Sequence, residues 1–268
     1  MTNLLNMSRK DGSPKKKLSA DAMSLSQHLG ELRQRLMICV VVVAVTTLVA
    51  VILYEPILHF LIRPLCDVDA SRAGSTGTLI IRSHSTCNLF VTSPLDGLTL
   101  RIKIAVFGGL AMASPVILFQ FWRFISPGLE SKERKYAVPF VIASFSLFLL
   151  GAATAYTTLP HALAFLRSVG GPNLQAIYDP IPYLGLILLM MTLFGLTFQF
   201  PVVLVSLELA RIVTPAGLLR SWRWAIIIIT VVSAVATPSS DPFSMLALAL
   251  PLVCFYFVSI GIGKLFGR

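Results

Sequence analysis

FISPGLESKERK, residues 124–135, separates two long apolar runs and sets the reading of the whole chain. Pro127-Gly128 halts any helix arriving from the amino-terminal side, because proline lacks an N–H and glycine readily leaves helical geometry. Glu133 then falls where the next helix should start, at the positive end of its dipole. Glu130 and Glu133 stand among Lys132, Arg134 and Lys135, in a chain with only 12 acidic residues. A polar turn this short between runs of spanning length reads as the bend of a helical hairpin at a membrane edge.

The composition extends that reading. The 268 residues are 56% hydrophobic and 13% charged, with mean hydropathy +0.81. Soluble domains carry roughly 25% charged residues. We expect an all-α membrane protein with six transmembrane helices, at Met37–Tyr54, Ile102–Trp122, Tyr136–Leu159, Ile181–Leu209, Trp224–Ala236 and Pro242–Ile262. Residues 1–23, with Lys15-Lys16-Lys17, read as a disordered basic tail rather than a cleaved signal peptide. Residues 24–264 form the membrane domain and 265–268 a short tail. Within Ser24–Leu36, Leu25, Leu29, Leu32 and Leu36 recur on one helical face, as in an amphipathic helix lying in the interface and running into the first span. Glu55–Leu100 reads as a long external segment with an amphipathic end, Pro94–Leu100, and His161–Asp179 as a second external loop.

Six spans put both termini on one side. About 16 of the 22 Lys and Arg residues lie on that side, so the positive-inside rule places the termini in the cytoplasm. The formal charge of +10 flanks apolar runs, which is membrane topology rather than a nucleic-acid surface. No internal repeat of the inverted-transporter kind is present. Prolines in or beside the second, third, fourth and sixth spans should kink them and free backbone carbonyls, giving a concave, glove-like wall. The fifth span is only about 13 apolar residues, roughly 20 Å against a core of about 30 Å. A thinned bilayer beside a concave wall suits the passage of something large.

No nucleotide loop, zincin motif, nucleophile elbow or Cys/His metal cluster is present in the sequence, so neither cofactor nor metal is expected and the chain does not read as an enzyme. Cys39 and Cys254 lie in apolar runs. Cys66 and Cys87 share the long external segment, where a disulfide closing a ring of roughly 20 residues, worth about 3 kcal/mol, competes with two unpaired thiols.

Three stretches together resemble a known family. They are His28-Leu29-Gly30-Glu31-Leu32-Arg33-Gln34-Arg35-Leu36, then Phe124, Pro127, Leu129, Glu133 and Arg134 at their intervals, then Phe194-Gly195-Leu196-Thr197-Phe198-Gln199-Phe200-Pro201. In order, and on a six-span layout, they resemble the TatC family, the large subunit of the twin-arginine (Sec-independent) protein translocase. The resemblance implies the signal-peptide receptor core of a complex that exports folded proteins on the proton-motive force. It implies TatA/TatB-type single-span partners, further copies of the chain, and a prokaryotic plasma membrane. It also implies that Glu31 and Glu133 meet the arginine pair, with Phe124, Leu129 and Arg33 in the same binding surface.

Each of those residues has a plainer reading. Glu31 can pair with Arg35 one turn on, for about 0.2–0.5 kcal/mol. Glu133 can be a solvated first-turn acid. Gln199 stands inside a span where relatives often have a glutamate. A glutamine cannot ionise, which leaves hydrogen bonding to a kinked helix, a partner helix or a water. Asp241 before Pro242 fits a helix N-cap; with Thr237 it also resembles a partner-docking patch. Pro64 and Tyr156 match family positions, with structural roles expected on the external side. The alternative function is a small-solute or ion permease, which would place paired charges or an unwound site near mid-bilayer.

Overall fold

The structure, a computed structural model, describes residues 25–73, 93–125, 137–170, 179–209, 212–238 and 241–266. Among them every regular element is helical: α1 Leu25–Ile52, α2 Tyr54–Ala73, α3 Asp96–Ile125, α4 Ala137–Gly170, α5 Pro180–Thr197, α6 Phe200–Leu209, α7 Pro215–Arg220, α8 Trp222–Ala236 and α9 Pro242–Phe266. Five stretches are long and apolar enough to cross a bilayer, α5 and α6 together making one, and α8 is a sixth, shorter apolar helix. The chain is therefore a multi-pass membrane protein. We call the end of the bundle where α1 begins the near face, and the opposite end the far face.

α5 is the centre. Leu184, Ile187, Met190 and Phe194 are fully buried on it, in one apolar core with Ile104 of α3, Leu159 of α4 and Leu248, Leu252 and Tyr256 of α9. α1 lies at the edge, with Val40, Val41, Val45 and Leu48 exposed. Apolar side chains facing outward are the bilayer-facing surface of such a bundle. α1 packs chiefly on α3, and a glycine sets the approach. A Cβ at Gly109 would lie 2.6 Å from the Thr47 Cα, and the Thr46 hydroxyl donates to the Gly109 carbonyl at 2.8 Å. Small residues and hydroxyl bonds of this kind hold membrane helices together where the hydrophobic effect offers no net pull.

Two expected features changed on folding. The external segment after the first span is not a plain loop. Its first part is α2, which carries Pro64 and packs against α3, α4 and α5 on the far face. Likewise α4 continues eleven residues past its expected end, through His161 into the second external loop. α3 begins at Asp96, inside the expected amphipathic stretch, and the Asp96 carboxylate accepts from the Ser93 N–H at 2.7 Å.

The prolines act as anticipated, and the freed carbonyls find donors. Pro64 cannot bond the Phe60 carbonyl, four residues back. The Tyr156 hydroxyl donates to it instead at 2.9 Å, and the two rings stack with centroids 4.5 Å apart. The Tyr183 hydroxyl takes the next carbonyl, Leu61, at 3.0 Å. Behind Pro115, the Ser114 hydroxyl donates to the Ala111 carbonyl at 2.7 Å. Pro201 divides the fourth span: α5 stops at Thr197 and α6 restarts at Phe200.

Candidate functional site

Helix register builds the near-face site. Thr46 and Gly109 are in contact across antiparallel α1 and α3. Equal rise along both helices then brings Arg35 level with Gln120, and Glu31 level with Phe124. The amphipathic start of α1 and the last turn of α3 thus reach the same level at the near face. α3 ends at Ile125 and α4 begins at Ala137; Trp122 stacks on Phe140 with ring centroids 4.2 Å apart. That stack ties together the two helix ends between which the stretch of Leu129 and Glu133 is strung. Leu129 and Glu133 themselves fall outside the described residues, as does the side chain of Phe124.

Glu31 is paired. Arg35, four residues on, donates through its guanidinium to Glu31 Oε1. Of the two, the arginine is the more enclosed: its side chain is 10% exposed and that of Glu31 30%. Glu31 Oε2 accepts no hydrogen bond among the described residues. Arg33, between them in sequence, is exposed. The (i, i+4) reading of Glu31 is therefore realised, and one carboxylate oxygen is left uncommitted.

Gln199 sits in the break of the fourth span. Its side-chain amide donates to the Ser144 carbonyl of α4 at 2.8 Å. Beside it opens an apolar groove of about 390 Å³ between α6, α8 and α9, lined by Phe200, Val203, Ile228, Val232 and Leu252. The glutamine is a hydrogen-bonded tie between helices at the wall of that groove.

Thr237 and Asp241 are turned inward. The Thr237 hydroxyl, on a residue 3% exposed, donates to the Ser233 carbonyl at 3.0 Å at the end of α8. Asp241, 1% exposed, accepts from the Ser244 N–H at 2.7 Å, the N-cap expected at the start of α9. Cys39 and Cys254 are free thiols. Cys87 lies outside the described residues and Cys66 is described only as a backbone position in α2, so the pair stands as a sequence expectation.

One polar residue was not anticipated. Glu208, in the last turn of α6, is 9% exposed and neither carboxylate oxygen has a hydrogen-bond partner among the described residues. It presses on Gly263 of α9, where a Cβ would collide with the carboxylate. The signal lay in one acid near the end of the apolar run FPVVLVSLEL, inside the expected fourth span, where the surrounding hydropathy hides it.

Comparison with known proteins bears on this architecture. Residues 27–251 match the model of a family described as Sec-independent protein translocase protein (TatC). A Sec-independent protein translocase protein TatC from Frankia casuarinae is 41% identical over 92% of this chain and 67% of its own length. The same-named protein of Aquifex aeolicus is 35% identical over 92% of this chain and 97% of its own. A crystal structure titled as the twin arginine translocase receptor TatC superposes with a TM-score of 0.69 at 34% identity, covering 90% of this chain and all of that one. The likeness extends over the six-span, kinked, glove-like layout.

Proposed function

Since this chain belongs to the TatC family of Sec-independent protein translocase proteins, and is a transport protein rather than an enzyme, we propose that it is the signal-peptide receptor core of a twin-arginine translocation complex. In this reading the near face is cytoplasmic, as the excess of Lys and Arg on that side argues, and the membrane is the plasma membrane of a prokaryote. Folded cargo bearing a twin-arginine signal peptide binds there. Export proceeds on the proton-motive force with TatA/TatB-type single-span partners and further copies of this chain. Exposed Ile227, Ile228, Val231 and Val235 of α8 offer such a partner helix an apolar face near the Thr237–Asp241 turn.

The observation that supports the receptor reading is that α1 and α3 pack together in a register, fixed at Thr46 and Gly109, that brings the Glu31 turn and the Phe124 turn to the same level at one end of the bundle. That end also holds both anchors of the segment bearing Leu129 and Glu133. A guanidinium is a planar fork that a carboxylate accepts well, and two arginines call for two acceptors. At the edge of an apolar slab such pairing is stronger than in open water. The test is photo-crosslinking to a labelled twin-arginine signal peptide. Glu133→Gln should abolish the crosslink while the protein still inserts in the membrane; undiminished crosslinking would sink the reading.

A further inference from the structure

We propose that Arg35 is an internal stand-in for a signal-peptide arginine: it occupies Glu31 in the empty chain, and a bound peptide displaces it. The inference rests on the receptor reading of Glu31 and adds a competitor to it. Arg35 donates to Glu31 Oε1, so the carboxylate already holds the kind of group that the peptide would bring. The two partners are unequally enclosed. Arg35 is 8% exposed as a residue, and a guanidinium is almost never buried so far unless paired. The Glu31 side chain keeps 30% exposure, while its Oε2 is buried with no hydrogen-bond partner among the described residues. A newcomer therefore approaches from the exposed side of Glu31 and brings a donor to an oxygen that has none, while the resident cation, the more enclosed of the two, stands level with Gln120 of α3. Arg33 is placed differently. It is exposed and two residues from Glu31, a spacing that does not face it on a helix.

The consequence is an affinity threshold. Apparent affinity falls by the fraction of chains in which Glu31 is open. A partly exposed pair is worth about 0.5–1 kcal/mol, which lowers apparent affinity about two- to fivefold. A segment that offers one weakly held cation fails against Arg35. A peptide that also engages Glu133 recovers the difference.

The test measures binding of a fluorescent twin-arginine signal peptide, and its twin-lysine counterpart, to the full-length chain in detergent. Four forms are compared: wild type, Arg35→Gln, Glu31→Gln and the double variant. Arg35→Gln should bind both peptides about two- to fivefold tighter, by the same factor for each. Glu31→Gln should bind more weakly, and in its background Arg35→Gln should change nothing. If Glu31→Gln weakens binding but Arg35→Gln binds equally or less well, Arg35 supports Glu31 rather than competing for it, and the stand-in is overturned with the receptor reading intact. If Glu31→Gln binds like wild type, the receptor role of Glu31 and the stand-in fall together. A gain that persists in the Glu31→Gln background also overturns it. Should Arg35→Gln not fold, Arg35→Lys decides. Lysine keeps the charge and the stem but pairs less well, so binding should tighten by a smaller factor; equal or weaker binding rejects the proposal.

Discussion

At the residue scale the chain shows two acids under opposite regimes. Glu31 has a partner within one turn and a side chain that is 30% exposed. Glu208 is enclosed, with no hydrogen-bond donor among the described residues, and its place depends on Gly263 having no side chain. Gly263→Ala should therefore lower thermal stability in detergent by about 1–3 kcal/mol, the usual cost of overpacking. Adding Glu208→Ala should recover much of that loss, because the two substitutions share one contact and are not additive. A harmless Gly263→Ala, or no recovery in the double variant, would mean that α6 and α9 separate freely there. The Glu31–Arg35 pair was legible in the sequence because helical spacing alone brings such residues together. The Glu208–Gly263 contact was not: its members are 55 positions apart, and no local rule pairs them. Gln199 was half legible. Its presence in a span marked it as a polar tie, but its acceptor, the Ser144 carbonyl, is a product of helix packing.

At the element scale the informative helix is α2. Its sequence, YEPILHFLIRPLCDVDASRA, mixes acids, a central proline and short apolar runs, so hydropathy passes it over as loop. What makes it a helix is its setting: two tyrosines from other helices donate to its backbone ahead of Pro64, Tyr156 to the Phe60 carbonyl that Pro64 leaves open and Tyr183 to the Leu61 carbonyl next to it. This clamp separates the tyrosines by environment. Tyr183 is 4% exposed, so Tyr183→Phe leaves a carbonyl that water reaches poorly and should cost about 1–2 kcal/mol in thermal unfolding. Tyr156 is only partly buried; water can replace its hydroxyl, and Tyr156→Phe should cost about 0.5–1 kcal/mol. The reverse order would show that exposure does not rank the two bonds and that the Tyr156 bond to Phe60 is the one that holds α2. The spanning helices were easier to read, since continuous apolar stretches of spanning length have few other homes. The division of the fourth span followed from Pro201, although its hydropathy runs on unbroken through the gap.

At the scale of the whole molecule, the spans do not agree on one membrane thickness. α3, α4 and α9 have 30, 34 and 25 residues, while α8 has 15, about 22 Å at 1.5 Å per residue. At its near end Trp222 and Trp224 are exposed, with the Arg223 guanidinium 5.6 Å from the Trp222 ring centroid. These are groups that settle at the headgroup level. Past its far end come buried Thr237 and Asp241. With one end anchored and the other tied to α9, α8 cannot lengthen, and the long helices can tilt where α8 can only draw the bilayer in. The bilayer should thus be thinnest along the exposed face of α8, beside the groove that Gln199 borders. Mismatch costs fractions of a kcal/mol per Å. Reconstitution into vesicles of graded acyl-chain length should therefore give a thermal stability that peaks in bilayers a few Å thinner than the common core of about 30 Å and falls as they thicken. Extending α8 by a turn of leucines between Val235 and Ala236 should move that peak to thicker bilayers while leaving the near-face site in place. If the peak does not move with the insertion, α8 does not set the thickness; if the protein is indifferent to chain length, no thinning follows from its short span.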